Sequence, residues 1–406
     1  MTSIYESLGI PTIVNAKGTS TRVSGGLMEP EVAAAMREAT EHCVDMATLQ
    51  GRASEIIAEA TGAEAGIVTS GAAAALLLGT AACITGLDPA KMNRLPDTRG
   101  MRNRVVMVRS QRNFYDHAVR AAGVEIVEVG LPDRFSGAGV RDAEAWEIAG
   151  AIDAHTACVL YVAQPHSRPA LPAVAAAAHD AGIPVLVDAA AQLPPVENLR
   201  RFVAEGADLV AFSGGKAING PQGSGILCGR RDLVAAALLQ NLDLDLFIEQ
   251  WRPPPSLFGN RTLPGLPHHG IGRSSKVGKE QIVALLVALQ RFTSGGVEAR
   301  IARCQTMLER IVAGLDSDLP ARVEVAPHRV SGVPLLTVTV DRHAAGLDAF
   351  DLVLRLQDGT PSIHVDPSRV EAGAIVLDAT CLRDEHPEQI AVRLNAILGA
   401  ARRMRA

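Results

Sequence analysis

Ala211-Phe-Ser-Gly-Gly-Lys-Ala-Ile-Asn-Gly-Pro-Gln-Gly-Ser-Gly-Ile-Leu227 places one lysine among small residues directly behind an apolar strand, Leu209 to Phe212. Lys216 is thereby held at a strand end, with Ser213 just ahead of it and glycines that let a bulky group approach the backbone. That setting suits covalent attachment of pyridoxal phosphate through the lysine amine. Two other readings use the same residues. An isolated Gly-Gly-Lys is also an ordinary exposed loop, and glycines with a lysine also cradle nucleotide phosphates. The nucleotide reading fits poorly, because the Gly-x4-Gly-Lys-Ser/Thr spacing and the helix that follows it are missing.

Working outward, Pro184-Val-Leu-Val-Asp188 is an apolar strand ending on a carboxylate, at the edge where ligands of open α/β sheets bind. A carboxylate hydrogen-bonded to a pyridine nitrogen keeps it protonated, and the protonated ring accepts the electron pair left by a bond broken at a substrate Cα. Taken alone, Asp188 is equally a helix cap or a loop residue. Its place one strand and one crossover before Lys216 favours the cofactor reading. The strand Ile67-Val-Thr69 feeds Ser70-Gly-Ala-Ala-Ala-Ala-Leu, a glycine turn opening a helix of Ala and Leu. Such a helix start offers unpaired N–H groups and the positive end of a dipole. Ser70, Gly71 and Ala72 are therefore the candidate phosphate seat, with the Ser213 hydroxyl as a further donor. Gln111, with Asn113, follows the strand Arg104 to Val108 at the edge where a residue must cover the ring face, although an aromatic or an imidazole would stack better. His117 reads as an exposed or capping histidine.

Apolar strands at 104–108, 124–129, 157–162, 184–188 and 209–212 alternate with Ala-rich stretches such as 173–181. This predicts an α/β fold whose large domain has a mainly parallel sheet covered on both faces. Residues 29–62 read as helix, with Pro30 near its start and Gly62 closing a second run. Trp251-Arg-Pro-Pro-Pro-Ser breaks the pattern. Beyond it, helices over 280–293, 297–314 and 387–404, with strands near 335–340 and 363–365, predict a small α+β C-terminal domain. The expected organisation is an N-terminal segment, 1–44, joining the small domain; a large cofactor-binding domain, 45–255; and the small domain, 256–406.

The chain has 406 residues, 48% of them hydrophobic, enough for a large core and two or three domains. With 39 Lys and Arg against 44 Asp and Glu, the formal net charge is -5, which gives no footprint for a general nucleic-acid partner. The basic cluster Arg94, Arg99, Arg102, Arg104, Arg109 and Arg112 reads as a solvated loop, with a phosphorylated substrate or a tRNA as alternatives. Six cysteines, at 43, 83, 158, 228, 304 and 381, show no zinc spacing. They read as buried small hydrophobes in a reducing compartment, and no metal is expected. The start has no basic region followed by an apolar one, and no apolar run is of membrane-spanning length; a cytoplasmic protein without membrane contact is expected.

The blocks Val14-Asn-Ala-Lys-Gly-Thr-Ser-Thr21, Met28-Glu-Pro-Glu-Val32, Val44-Asp-Met46 with Leu49-Gln50, Thr61-Gly-Ala-Glu-Ala65, Val68-Thr-Ser-Gly-Ala-Ala-Ala-Ala75, Asp188-Ala-Ala-Ala191, Ser213-Gly-Gly-Lys216, Gly220-Pro-Gln222 and Gly270-Ile-Gly-Arg-Ser-Ser-Lys-Val-Gly-Lys-Glu280 occur in this order. Together they resemble the bacterial selenocysteine-synthase-like group of fold-type I pyridoxal phosphate enzymes, nearest its D-glucosaminate-6-phosphate ammonia-lyase branch. The resemblance implies the fold-type I transferase fold, with Lys216 as Schiff-base lysine and Asp188 as pyridinium partner. It also implies Ser70, Gly71 and Ser213 around the phosphate, and a homodimer or higher homo-oligomer with active sites near a subunit interface. The chain departs from the pattern at Ser110-Gln111, where relatives often carry Gly-His. It opens with Tyr5-Glu-Ser-Leu-Gly-Ile rather than the RNA-binding domain of the tRNA-handling synthases, so selenium transfer is not the expected reaction.

Asn15, Thr19, Gln50 and Arg52 are candidates for the substrate wall. Arg273 and Lys276 are candidates for holding a substrate carboxylate or phosphate, with a hinge held by surface ion pairs as the alternative. His268 and His269 read as a lid, an acid pair or a solvated loop. The expected function is a pyridoxal phosphate lyase acting at Cα and Cβ of a small, hydroxylated or phosphorylated amino acid, releasing ammonia and a keto acid. A transferase, racemase or aldolase would start from the same bound substrate. A non-catalytic binding protein is the remaining alternative, against which Lys216 and Asp188 argue.

Overall fold

Twelve strands run through residues 3–131 and 142–403, the part of the chain that the computed structural model describes. They are β1 (Ile13–Ala16), β2 (Ala65–Thr69), β3 (Arg104–Val108), β4 (Glu125–Val129), β5 (Thr156–Val162), β6 (Val185–Asp188), β7 (Leu209–Ser213), β8 (Gly225–Gly229), β9 (Ala321–Pro327), β10 (Pro334–Val340), β11 (Ser362–Val365) and β12 (Ala374–Asp378). The chain divides into two compact units, one of Met28–Ser294 and one of Met1–Leu27 with Gly295–Ala406.

In the larger unit, strands β2 to β8 form one sheet in the order β2-β8-β7-β6-β5-β3-β4. The neighbours from β7 to β4 are parallel, whereas β8 runs antiparallel to both β7 and β2. Strands β5 and β6 are buried along their whole length, as strands covered on two faces must be. The helix Ala72–Thr85 lies on this sheet with nearly every residue buried. Gly79 is what lets it come so close, since a Cβ there would meet Leu186 Cδ1 at 3.1 Å and Leu209 Cδ1 at 3.4 Å. One consequence of this topology governs the site. The carboxyl ends of β2, β3, β5, β6 and β7 share one edge of the sheet, and β8 starts there.

The smaller unit carries the antiparallel sheet β12-β10-β9 and the parallel pair β1–β11. Its core is built from Leu336, Val338, Ile375 and Leu377 of the strands with Met307, Leu308, Leu352 and Leu394 of three helices. The N-terminal segment joins it through β1, whose partner β11 lies far along the chain.

The units divide at different residues from those expected. Residues 28–44 belong to the larger unit, where the helices Pro30–Ala39 and Lys279–Arg291 pack together. Residues 256–294 do likewise, because Trp251-Arg-Pro-Pro-Pro is a packed loop rather than a boundary. Trp251 meets Phe258 edge-on at 5.3 Å, and Pro254 lies so close to Gly51 that no Cβ would fit there. The helical run 29–62 is two helices, Pro30–Ala39 and Met46–Thr61. The last helix is His386–Arg403; the expected end at Met404 lies outside the described residues. The helical stretch Lys279–Ala313 is, contrary to the sequence reading, long and apolar enough to cross a membrane. Its apolar side chains Ile282, Leu285, Leu289 and Phe292 are instead buried in the protein, as are Cys304, Leu308 and Ile311.

Candidate active site

At the end of β6, Asp188 is 9% exposed. Burial pushes its carboxyl above the usual range, and the Ala190 N–H donating to Oδ1 at 3.0 Å and the nearby Lys216 pull it back down. Lys216 is half-buried in the turn that leaves β7. Burial lowers its pKa, and the charge of Asp188 raises it. The two groups thus form one electrostatic pair in which desolvation is the largest effect on each.

Close glycine packing shapes the turn around Lys216. The Gly214 N–H donates to the Ser224 carbonyl at 2.9 Å, the Gly220 N–H donates to the Gly214 carbonyl at 2.9 Å, and the Asn219 N–H donates to the Lys216 carbonyl at 2.9 Å. A Cβ on Gly215 would lie 2.6 Å from Gln222 Cα, so no larger residue fits there. Asn219 takes a left-handed conformation, φ +64°, that asparagine tolerates.

The second part of the site is the turn between β2 and the helix Ala72–Thr85. Gly71, φ +103°, precedes the first helical residue, and no side chain caps the helix. The Thr69 hydroxyl donates to the Gly71 carbonyl at 2.9 Å and steadies the turn. The first strand residue of β8, Gly225, lies directly against it. A Cβ on Gly225 would fall 2.7 Å from the Ala72 nitrogen and 2.8 Å from the Gly71 oxygen. The sequence reading passed over Gly225, although it stands in the decisive stretch; its signal is a glycine at the start of a strand.

Gln111 is buried, and its amide is in use. Its Oε1 accepts the Val162 N–H at 2.9 Å, and its Nε2 lies 3.5 Å from the Arg168 carbonyl. The neighbouring strand β3 ends at Val108 and turns into a 3-10 segment, so the side chain supplies the acceptor that a longer strand would have given β5. Since Val162 pairs with Asp188, Gln111 braces the strand beside the carboxylate.

The other expected residues lie on several elements. The Ser70 hydroxyl donates to the Ser275 carbonyl at 2.8 Å, which ties the turn after β2 to the segment Ile271–Ser275. Asn241, which the sequence reading missed and for which no local signal exists, donates to the Gly272 carbonyl at 3.0 Å and the Ser275 carbonyl at 3.3 Å. Arg273 and Lys276 therefore stand near that turn. The Arg273 guanidinium is engaged by Asp243 at 2.9 Å, while Lys276 is exposed. Gln50 donates to the Val68 carbonyl at 2.8 Å and accepts the Val68 N–H at 3.0 Å, closing the open side of the edge strand β2. Arg52 is exposed and paired with Glu55. Asn15 and half-buried Thr19 belong to the smaller unit, where Asn15 donates to the Gly18 and Gly25 carbonyls at 3.1 Å each.

The family model for SelA, L-seryl-tRNA selenium transferase, matches residues 31–249, which hold β2 to β8 and every cofactor candidate. The chain belongs to this family. This SelA-family chain is 32% identical to a 5'-C-glycyluridine monooxygenase-decarboxylase of a Streptomyces species, over 97% of its own length and 92% of that protein's. It is 31% identical to the D-glucosaminate-6-phosphate ammonia lyase of Salmonella typhimurium, over 97% and 98% of the two chains. A solved structure of a D-glucosaminate-6-phosphate ammonia-lyase superposes with a TM-score of 0.81 at 29% identity, covering 99% of this chain and all 100% of that one. A cysteine desulfurase from Thermococcus onnurineus, 17% identical with a TM-score of 0.52, shares the fold alone, covering 96% of this chain and 95% of its own.

The SelA-family chain thus has the fold-type I architecture and is a pyridoxal phosphate enzyme. Its residues fit that cofactor. The uncapped helix start at Ala72, kept open by Gly71 and Gly225, matches a phosphate, and the buried Asp188 with Lys216 matches a pyridine nitrogen and an aldehyde.

Proposed function

We propose that this enzyme is an ammonia lyase acting on a small amino acid that bears a hydroxyl at Cβ and a phosphate further along. The observation that carries the reading is its end-to-end similarity to the Salmonella ammonia lyase, in a chain that keeps a buried Asp188–Lys216 pair. Overall, the β-hydroxyl leaves as water and a water then replaces the nitrogen at Cα, so the net change is conversion of the substrate to a keto acid and ammonia.

When bound, pyridoxal phosphate supplies an electron-accepting ring joined to the substrate amine. The residues of the chain do the rest. Lys216 would hold the cofactor aldehyde, and its Nζ would be the base for the Cα proton; burial lowers its pKa, which favours the neutral amine that this role needs. Asp188 would hold the ring nitrogen through its carboxylate, which the Ala190 N–H at 3.0 Å from Oδ1 keeps oriented. Ser70 and its neighbours Gly71 and Ala72 would hold the phosphate through the open helix start, with Ser213 as a further donor, and Gln111 keeps the strand beside Asp188 in place. Arg273 and Lys276 lie on the segment next to the phosphate turn and orient an anionic group of the substrate.

A second reading has its own support, the similarity to the Streptomyces monooxygenase-decarboxylase. One experiment separates the two. The holoenzyme is incubated with D- and L-hydroxy amino acids, phosphorylated and free, while ammonia, keto acid, carbon dioxide and dissolved oxygen are followed. Equal yields of ammonia and keto acid without oxygen uptake are expected. Oxygen uptake with carbon dioxide release would replace the lyase reading by the second, and racemised or transferred product without ammonia would also refute it.

We also infer a homo-oligomer, supported by the exposed Phe114, Tyr115, Trp146 and Phe247. A cytoplasmic location is supported by the six unpaired cysteines, four of them buried.

A further inference from the structure

Strand β9 is the outer strand of the antiparallel sheet β12-β10-β9, and the hydrogen bonds around it fix which of its backbone groups face outward. The Val340 N–H donates to the Gly373 carbonyl at 2.9 Å, so Val340, Val338 and Leu336 turn their backbone groups toward β12. Thr339, Thr337 and Leu335 turn theirs toward β9, where they pair with Arg322, Glu324 and Ala326. Both ends of the β9–β10 pair agree with this alternation. The Asp341 N–H donates to the Pro320 carbonyl at 2.9 Å, and the His328 N–H donates to the Val333 carbonyl at 2.8 Å. Ala321, Val323 and Val325 are therefore left with their N–H and C=O groups on the open edge. The Ala321 N–H donates to the Leu319 carbonyl at 2.8 Å, whereas the Val323 and Val325 N–H groups have no partner among the described residues.

The side chains follow the same alternation. Ala321, Val323 and Val325 are half-buried against the core of the smaller unit, as are Leu315 and Leu319 just before the strand, so that core is only partly covered along this edge. Arg322 and Glu324 point to the other face, with side chains 79% and 58% exposed, and reach each other at 3.2 Å. An edge kept apart from other strands commonly carries a lysine, a bulge or an inward-pointing charge. Between Pro320 and Pro327, β9 has none of these, and it keeps an unbroken register with β10. Its charges are instead complementary about its own centre. Two copies of β9 running antiparallel with Val323 opposite Val323 set Arg322 of each against Glu324 of the other.

We propose that β9 is a self-pairing edge through which two copies of this chain join, extending the sheet of the smaller unit across a two-fold axis at Val323. The outward backbone groups allow this register. Each Val323 N–H donates to the Val323 carbonyl of the partner subunit, and each Val325 N–H donates to the Ala321 carbonyl of the partner subunit. Arg322 and the partner's Glu324 then stand at a non-hydrogen-bonded pair, where Cα atoms approach to about 4.5 Å and side chains are closest. Sliding the pair by two residues sets Glu324 against Glu324 in one direction and Arg322 against Arg322 in the other, so the charges also select the register. The edge lies wholly within the smaller unit, and its pairing requires neither the lyase reading nor the exposed aromatic residues of the larger unit.

The test uses the holoenzyme at low ionic strength, with sedimentation velocity from nanomolar to tens of micromolar chain to measure assembly. Arg322→Glu sets carboxylate against carboxylate across the axis, and Glu324→Arg sets guanidinium against guanidinium. Each should weaken one association step about tenfold or more. The double variant, Arg322→Glu with Glu324→Arg, restores both pairs and should recover that step. All of these side chains are exposed, so urea unfolding of the dissociated variants should match the parent and shows that the fold is intact. Amide hydrogen exchange reports the place: the segment 321–326 should exchange more slowly in the assembled parent than in Arg322→Glu, with β10 the same in both. A parent that sediments as Arg322→Glu does at every concentration, a double variant that stays apart, or equal exchange of the segment 321–326 in parent and single variant would each overturn the proposal. Failure of the lyase reading would appear separately, as absence of ammonia with the association step intact.

Discussion

Gly225→Ala tests the cofactor site through geometry rather than through chemistry. The added Cβ would sit 2.4 Å from the Gly71 carbonyl carbon and 2.7 Å from the Ala72 nitrogen, where ordinary contact begins at 3.4 Å, so the Gly71–Ala72 turn must retreat by roughly 1 Å. The obstructing atoms are backbone, which cannot swing aside as a flexible side chain would. Overpacking of this kind costs about 1–3 kcal/mol of folding stability. The effect on the cofactor is larger. Charged hydrogen bonds contribute about 1.5–3 kcal/mol each, so loosening two of them loses about 3–6 kcal/mol, a weakening of roughly 10²- to 10⁴-fold. Titration of the cofactor-free protein with pyridoxal phosphate, followed by absorbance and protein fluorescence, measures this, and urea unfolding without cofactor measures the packing cost. Gly223→Ala is the control, because a Cβ there meets nothing within 4 Å. A Gly225→Ala dissociation constant within about threefold of the parent, or an equal loss in Gly223→Ala, would refute the placement of the phosphate on this turn.

Lys216→Ala should leave no cofactor covalently trapped after borohydride reduction, by mass spectrometry, and lower turnover by about 10²-fold or more; trapping at another lysine would sink the assignment. Asp188 gives a pH-dependent expectation. Its carboxyl is raised in the folded chain, so the cost of burying its charge is absent below the ordinary value of about 3.9, grows between that and the raised value, and is complete above it. Asp188→Asn should therefore make the cofactor-free protein more stable at neutral pH, lose that advantage in acid, and yet impair catalysis; a parent more stable than the variant at neutral pH contradicts this. Gln50→Ala leaves both Val68 backbone groups unpaired and should cost about 2–6 kcal/mol in urea unfolding. Arg52→Ala should stay within about 0.5 kcal/mol, and a comparable loss in the two would show that Arg52 does more than pair with Glu55.

Most of the large sheet was legible because β3, β5, β6 and β7 are almost wholly buried, and burial on both faces writes an unbroken apolar run. Strand β8 was not, since Gly225-Ile-Leu-Cys-Gly229 has a glycine at each end and reads as the tail of a loop. Strand β9 alternates exposed and half-buried residues with charges among them, a pattern that suits an edge and announces little. The unit boundaries were hidden for a related reason. A proline run stops a helix, but only packing decides whether the chain then leaves the core, and here Trp251 and Pro254 return to it.

By itself the sequence determined the cofactor chemistry: a lysine in a glycine turn after a strand, an aspartate closing an earlier strand, and a glycine opening an alanine helix are local patterns, each set by dihedral freedom and burial. The tertiary structure decided what the remaining polar groups do. Gln50 and Gln111, ligand candidates by sequence, each satisfy backbone groups that a neighbouring strand leaves unpaired. Gly225 meets the Gly71–Ala72 turn only because β8 folds back beside β2. A hydrogen-bond or steric partner far along the chain leaves no trace in local periodicity, so the residues that shape this site around Lys216 became readable only once the sheet order was known.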